Sequence, residues 1–436
     1  MILMGISEAM STAISGLGAN ATAVTRISEN IANAGTTGYK RSFADMVTTT
    51  TAGGNSASGV KAVNGSNVGQ SGSINATSSD YDLAISGSGF FVVSKNANET
   101  SEANFFLTRV GNFRPDENGY MVNSAGYYLA GFEYDTATGT QGALDRNSFS
   151  SMSSVKIGDL QLPAQPSTSA TVTGNLPAQE TGVTPPGSAF LSSMEFFTQL
   201  GRSENLVLSW QPTDDINVWR LTVSDTTNRT HGAIDVTFNN SGPNPGSPKS
   251  YAMSANQPVT PQTLTLDPVT GEITMQIDAN GDQMPLTLGL GAPGTYKGIT
   301  QFVGDFTPQR FTVDGSGQTG LARTETDAKG TIWGVFDDGR RMALYDVPVA
   351  QVTNPNALTL VDGNAYQINR AAGTLTMETA GQGKNGTIVS GALESSTVDI
   401  SSELTDLIRI QRAYSSNAKI ITAADEMLQE VNNLKR

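Results

Sequence analysis

Residues 6–31 read ISEAMSTAISGLGANATAVTRISENI, and residues 404–431, near the other end of the chain, read LTDLIRIQRAYSSNAKIITAADEMLQEV. In the first stretch Ile6, Met10, Ala13, Leu17, Asn20, Val24, Ile27 and Ile31 follow one another at alternating spacings of four and three. In the second, Leu404, Leu407, Ile410, Tyr414, Asn417, Ile421, Ala424, Leu428 and Val431 repeat the pattern. Spacings that average about 3.5 residues draw a single stripe along a helix, the seam by which one helix packs on another. Each segment predicts a helix of about 25–35 residues, roughly 40–50 Å long at 1.5 Å per residue.

Two ordinary core helices would show the same spacing. Against that reading, both seams carry an asparagine, and both helices sit at chain ends, where chains usually fray. Asp399 stands where an N-cap belongs, Glu403 and Asp406 favour the positive end of the second helix, and Lys435 and Arg436 its negative end.

Working inward, the pattern changes twice. Between about Thr48 and Ser79 the chain is rich in Ser, Thr, Gly and Asn and holds no aromatic residue, which by itself reads as a flexible linker. From Tyr81 the signal is β. Phe90-Phe91-Val92-Val93 is a short apolar run, and Asn118-Gly119 between Phe113 and Tyr120-Met121-Val122 is a hairpin signal. Leu206-Val207-Leu208 and Trp219-Arg220-Leu221-Thr222-Val223 continue the theme. Turn pairs recur at Asn280-Gly281, Asp314-Gly315, Asp338-Gly339, Asp362-Gly363 and Asn385-Gly386, and prolines at 163, 166, 177, 185 and 186 interrupt any helix.

The expected fold is mainly β with paired terminal α-helices. Composition agrees. Of 436 residues only 15% are charged, against a usual ~25%, so polar uncharged residues cover much of the surface. The formal net charge of −14 opposes binding to nucleic acid or to anionic lipid. The chain has no Cys, which removes disulfides, thiolate metal sites and Cys nucleophiles. No apolar run approaches ~18 residues, so no spanning helix is expected. Met1-Ile2-Leu3-Met4-Gly5-Ile6 lacks a basic region and is followed by Glu8, so no cleaved secretory signal is expected either.

A search for chemistry returns little. His231 is the only histidine, which leaves no multi-His metal site, and in Asn228-Arg229-Thr230-His231-Gly232 it reads as a turn residue. Residues 315–320 match the G-x-G-x-x-G spacing, yet Leu321-Ala322-Arg323-Thr324-Glu325-Thr326 follows as a strand-like alternation where a dinucleotide fold needs a helix. Asp278, Asn280 and Asp282 resemble a calcium loop, but Gly281 comes too early and Gly289 replaces the bidentate Glu. No catalytic, cofactor or metal site is expected, and no enzyme.

Asn30-Ile31-Ala32-Asn33-Ala34-Gly35-Thr36-Thr37-Gly38-Tyr39-Lys40-Arg41 resembles the N-terminal signature of the bacterial flagellar rod, hook and hook-associated axial proteins, with Gly35 where Asn is commoner. Residues 87–93, 108–113, 119–123 and 126–131 look like that family's central block. Residues 391–404 and then Gln411-Arg412-Ala413-Tyr414, Asn417-Ala418-Lys419 and 422–428, with Asp425, resemble the ending of its hook members. Similarity covers roughly residues 5–45, 80–135 and 295–436, and is weak from about 150 to 295.

The resemblance implies a discontinuous architecture. Residues 1–31 with 396–436 would form a helical polymerisation domain, coiled-coil-like and lining a channel. Residues 32–79 would be a linker, 80–150 with 298–395 a β-rich middle domain, and 151–297 an inserted all-β outer domain. It implies a structural hook subunit that polymerises with itself into a curved, flexible tube and passes motor torque to the filament. The implied partners are the distal rod protein, the hook cap, the hook–filament junction protein and the flagellar type III export apparatus, with an extracellular location. A distal rod or junction protein of the same family is the nearest alternative, disfavoured by length. A secreted β-rich adhesin, with Trp210, Trp219 and Trp333 stacking on sugars, is the alternative from another class; it has no need of apolar seams at both ends.

Overall fold

The computed structural model describes residues 2–50, 57–136, 138–158, 160–226, 229–257, 263–279, 282–307 and 310–434. The chain is mostly β, with a helix at each end: α1 spans Ile2–Ala32 and α2 spans Ile400–Leu434. Asp399 caps α2 as expected, its Oδ1 accepting from the Ser401 amide at 2.8 Å and the Ser402 amide at 3.2 Å. At the other boundary the Asn33 side chain donates to the Glu29 carbonyl at 2.9 Å and closes the last turn of α1.

The chain forms two compact units: Met1–Leu160 with Leu321–Arg436, and Gln161–Gly320. The second is thus an insertion into the first, all-β as expected, but its boundaries differ from the sequence reading. Ser153–Ser154 pairs with Ala130 and Gly131, which keeps residues 151–160 in the first unit. Ile299–Phe302 and Arg310–Val313 both pair with Ser169–Pro177, which draws residues 298–320 into the second. Backbone pairing decides these borders, and composition does not report it.

The stretch read as a flexible linker is not structureless. β1, Ser42–Thr50, and β2, Ala57–Ser66, form an antiparallel ribbon with Ser42 opposite Ser66 and Thr48 opposite Val60. Thr and Val suit a pleated strand, and the ribbon is held by packing against α1, as when Ser15 Oγ accepts from the Val60 amide at 3.1 Å. The polar composition reflects how little of the ribbon is buried.

In the first unit two hydrophobic clusters lie on opposite faces of strands that run through the middle. β3 is Ile74–Ala76, β4 Leu83–Ser86, β5 Phe91–Ser94 and β6 Phe105–Thr108. Along residues 90–93 the side chains alternate, Phe91 and Val93 joining one cluster, Phe90 and Val92 the other. All four are buried, which explains why the run reads as continuously apolar. The Asn118-Gly119 hairpin forms as expected, pairing Phe113–Pro115 with Met121–Asn123. Asn280-Gly281 and Asn280 of the calcium-like loop lie outside the described residues, as does Asn228; His231 is not in a turn but buried in the strand Thr230–Phe238, its Nδ1 2.8 Å from Thr263 Oγ1.

The second unit is built from two sheets that share one core. Five strands from Phe190–Phe197 to Pro248–Met253 follow one another as an antiparallel meander. The other sheet centres on Ser169–Pro177, parallel to Asp282–Gly289 and Ile299–Phe302. Leu206, Leu208 and Trp210 point inward from one strand, Trp219, Leu221 and Val223 from the next. Trp210 and Trp219 are fully buried, so neither offers a face to a sugar. Trp333 is half-buried, its Nε1 donating to Asp327 Oδ2 at 3.1 Å and its ring covered by the Arg341 guanidinium.

Burial pushes the Tyr345 phenol up to about 12 and raises those of Tyr251 and Tyr366 as well. An unfolded tyrosine ionises near pH ~10, so the stabilisation from keeping these phenols neutral is complete below that pH and is lost as pH climbs towards the folded values. Phenolate absorbance from the buried tyrosines should therefore appear only together with loss of the β circular dichroism. A single wave that leaves the circular dichroism intact would contradict this packing.

Candidate assembly surface and its joint

The two helices pair along a line that differs from the large-residue seam of α1. Ala13, Gly16, Ala19, Asn20, Ala23 and Ile27 are buried, whereas Met10, Leu17, Val24 and Ile31 are only half-covered. The buried face of α1 is thus turned towards its small residues, which let α2 approach closely. At Gly16 the Asn417 amide nitrogen lies 2.6 Å from where a Cβ would stand. A small cluster forms from Ala23, Ile27 and Ile410, with Val24, Ile31, Leu407 and Ala44 of β1 against it.

The α2 positions divide in the same way. Ile410 and Ala424 are buried, and Leu407, Ile421 and Leu428 half-covered. Leu404 and Tyr414 are each 46% exposed, beside the exposed Ile400, Ile408, Ile420 and Met427, and Ile14 on α1 is 54% exposed. The pairing therefore brings together Ala23, Val24, Ile27 and Ile31 with Leu407 and Ile410, and leaves Leu404 and Tyr414 facing outward. The side chains of Ile6 and Val431 lie outside the described residues, as do Lys435 and Arg436.

Where the helices leave the β body, the N-terminal motif residues become a joint. Asn30 is fully buried, donates to the Ser42 carbonyl at 2.7 Å, and accepts from the Ser42 amide at 2.9 Å and the Tyr39 hydroxyl at 3.2 Å. Desolvation raises the Tyr39 phenol above its ordinary range. Gly38 sits at φ +69°, with its amide donating to the Glu394 carbonyl at 2.8 Å; a side chain there would meet the Arg109 backbone. Asn33 accepts from the Thr36 hydroxyl at 3.2 Å.

Lys40 opens a buried ionic network. Its Nζ lies 2.6 Å from Glu394 Oε1 and 2.5 Å from the Gln70 carbonyl, and Arg109 Nη1 lies 2.8 Å from Glu394 Oε2. Glu394 Oε1 also accepts from the Gly72 amide at 2.6 Å. One carboxylate thus faces two cations in a space closed to water. Burial pulls the Lys40 ammonium below its ordinary range, opposed by Glu394 and reinforced by Arg109. Beside this network Arg41 pairs with Glu403 in the first turn of α2 and reaches Asp406 at 3.6 Å. The C-terminal motif residues Gln411, Arg412, Tyr414 and Asp425 stay exposed and take no part in the joint.

Sequence reasoning missed Glu394, Arg109 and the Arg41–Glu403 pair as a set. The available signal was slight: a lone Arg after the apolar run Phe105-Phe106-Leu107 and a lone Glu within Ala392-Leu393-Glu394. Among the described residues no group of three or more His, Cys, Asp or Glu is placed to hold a metal ion, and no helix is long and apolar enough to cross a membrane.

A Flagellar hook protein FlgE of Brucella suis is 31% identical to this chain over 442 residues, covering 99% of this chain and 100% of the relative. The chain belongs to the flagellar hook protein family. Hook proteins of Rhizobium meliloti, at 30% identity, and Escherichia coli, at 28%, also align over their full length and over 99% and 98% of this chain. Family models match in three places: "Flagella basal body rod protein" at residues 10–40, "Flagellar hook protein FlgE/F/G D1 domain" at 84–175, and "Flagellar basal body rod FlgEFG protein C-terminal" at 389–434. Among solved structures, Helicobacter pylori flagellar hook protein FlgE2 matches with a TM-score of 0.46 at 14% identity, covering 74% of this chain and 100% of that one. The chain is a structural subunit of the hook, a component of the flagellar hook and basal body, and hook family membership carries self-polymerisation with it.

Proposed function

We propose that copies of this chain join through the outward-facing apolar residues of their terminal helices, forming a curved, flexible tube whose channel the helices line and which passes torque from motor to filament. The observation that carries this reading is the unused half of the apolar surface on α1 and α2. Pairing within one chain consumes the small-residue face and leaves Met10, Leu17 and Val24 half-open and Leu404, Ile408 and Tyr414 exposed. Apolar surface left in water favours association at about 25 cal/mol per Å² once covered. Helices alternating apolar seams with small residues suit a partner helix better than a flat sheet.

In this reading the seam residues Ile6, Met10, Ala13, Leu17, Val24, Ile27, Ile31, Leu404, Leu407, Ile410, Tyr414, Ile421, Leu428 and Val431 divide between pairing within a chain and contact between chains. Asn30, Gly38, Tyr39 and Lys40 set the helices on the β body, while Gln411, Arg412, Tyr414 and Asp425 face other copies. The tube grows between the distal rod and the hook–filament junction protein, beneath a cap. Its subunits leave the cell through the flagellar type III export apparatus without a cleaved signal, and the absence of Cys supports folding without oxidative help. The role is structural, with no catalytic step.

Substituting Leu404, Ile408 and Tyr414 together by serine tests the surface. Changes at exposed positions usually alter stability by less than ~0.5 kcal/mol each, so the monomer's circular dichroism should hold. Electron microscopy under conditions that polymerise the parent protein should then show no tubes. Tubes of normal length at parent concentrations would remove these residues from the interface.

A further inference from the structure

We propose that the Glu394 network is a closure lock, which keeps the β body of the first unit open until the C-terminal strand Ala392–Glu394 arrives. The inference is independent of how copies join. Its members come from segments far apart in the chain: Lys40 just before β1, Arg109 just after β6, and Glu394 close to the start of α2. The side chains of Lys40 and Glu394 are 0% exposed and that of Arg109 is 1% exposed. Arg109 Nη2 donates to the Gly87 carbonyl at 2.8 Å, Nη1 donates to the Ile85 carbonyl at 3.3 Å, and the guanidinium lies over the Phe90 ring. Closing β4, β5 and β6 therefore holds the guanidinium against Ile85, Gly87 and Phe90 through contacts that do not involve Glu394.

Without Glu394 that closure traps two like charges with only carbonyl dipoles and the Phe90 ring as compensation, and such burial is strongly unfavourable. With Glu394 both cations gain a counter-charge at hydrogen-bond distance, and the same residue ties in the Gly72 amide. Strand Ala392–Glu394 pairs with β3, and the neighbouring Thr387–Ser390 pairs with β4. The carboxylate thus arrives on strands that also complete the sheet edges. A chain normally begins to fold from its N-terminal part as it is made. Placing the compensating charge near residue 394 withholds closure of the body from an incomplete chain.

The lock is tested by pulse-labelling hydrogen exchange during refolding of the full-length chain. In the parent protein the amides of β5 and β6 should gain protection in the same phase as those of Ala392–Glu394. In Lys40→Met/Arg109→Met/Glu394→Met, which replaces the charges by apolar volume, β5 and β6 should gain protection in an earlier phase. Lys40→Met alone retains a matched Arg109–Glu394 pair and should shift β5 and β6 in the same direction to a smaller extent, which decides the matter if the triple variant does not fold. Protection of β5 and β6 ahead of Ala392–Glu394 in the parent would overturn the lock. So would an unchanged order of protection in the variants, which would assign the order to strand topology alone.

Discussion

Glu394→Ala is expected to lower the melting temperature of the first unit by roughly 10 °C and to leave the second unit's transition where it was. Three contributions add up. The substitution removes the counter-ion of Lys40 and Arg109, and both cations remain buried. It also leaves the Gly72 amide without its acceptor. Truncating one partner of a buried pair costs about 3–5 kcal/mol, most of it the penalty for the charge left behind. Scanning calorimetry resolves the effect if the units unfold separately; otherwise exchange protection at Phe91–Ser94 and at Leu206–Trp210 reports on each. The companion experiment carries the physical content. Replacing all three charged residues by methionine should restore most of the lost stability, because apolar groups of similar volume need no compensation. An Ala variant that melts with the parent would mean that water reaches Glu394. A Met triple that stays as unstable as Glu394→Ala would mean that the network contributes more than it costs.

That joint also marks where reading the sequence stopped. Periodicity located both helices, since a 3.6-residue period needs only the identities of near neighbours. Asp399 as a cap and Asn118-Gly119 as a turn were legible for the same reason. What the chain did not disclose was long-range pairing. Lys40 and Glu394 are separated by most of the sequence, and nothing beside either residue announces the other. The same limit explains the borders of the insertion: residues 298–320 have the composition of either unit, and only their pairing with Ser169–Pro177 assigns them. The ribbon of β1 and β2 reads as linker because Ser, Thr, Gly and Asn dominate both flexible segments and sparsely buried strands. On α1 the large residues Met10, Leu17 and Val24 drew the seam one way. The structure turns the helix so that glycine and alanine meet α2, because close approach depends on what side chains lack.

Gly16→Val should uncouple the terminal helices and abolish tube formation, while the β units melt as before. The expected effect follows from one contact. A Cβ at position 16 would stand 2.6 Å from the Asn417 side-chain nitrogen and 3.3 Å from its Cγ, inside the limit that non-bonded atoms tolerate. The nearest atoms are the far end of the Asn417 side chain, which is half-buried in the helix pair, so the added side chain is accommodated only by turning that amide out of the notch. Overpacking of this kind costs about 1–3 kcal/mol. In a large core that sum is tolerable, but among the described residues the hydrophobic cluster between α1 and α2 has just Ala23, Ile27 and Ile410 as buried members. Helices of this length hold together in water chiefly by packing, so a loss of that size separates them. Separation then displaces Leu17 and Val24 relative to Leu404 and Tyr414, and the composite apolar surface that neighbouring copies would meet no longer exists. Gly16→Ala adds the same Cβ without branching and should give an intermediate defect, rescued by Asn417→Ala, which removes the obstructing amide. Tubes from Gly16→Val at parent concentrations, with the exchange protection of α1 unchanged, would show that the helices need no close approach at this point. Rescue of Gly16→Ala by Asn417→Ala, seen as recovered tubes in the electron microscope, would instead place the register of the helix pair at the notch where glycine admits an asparagine.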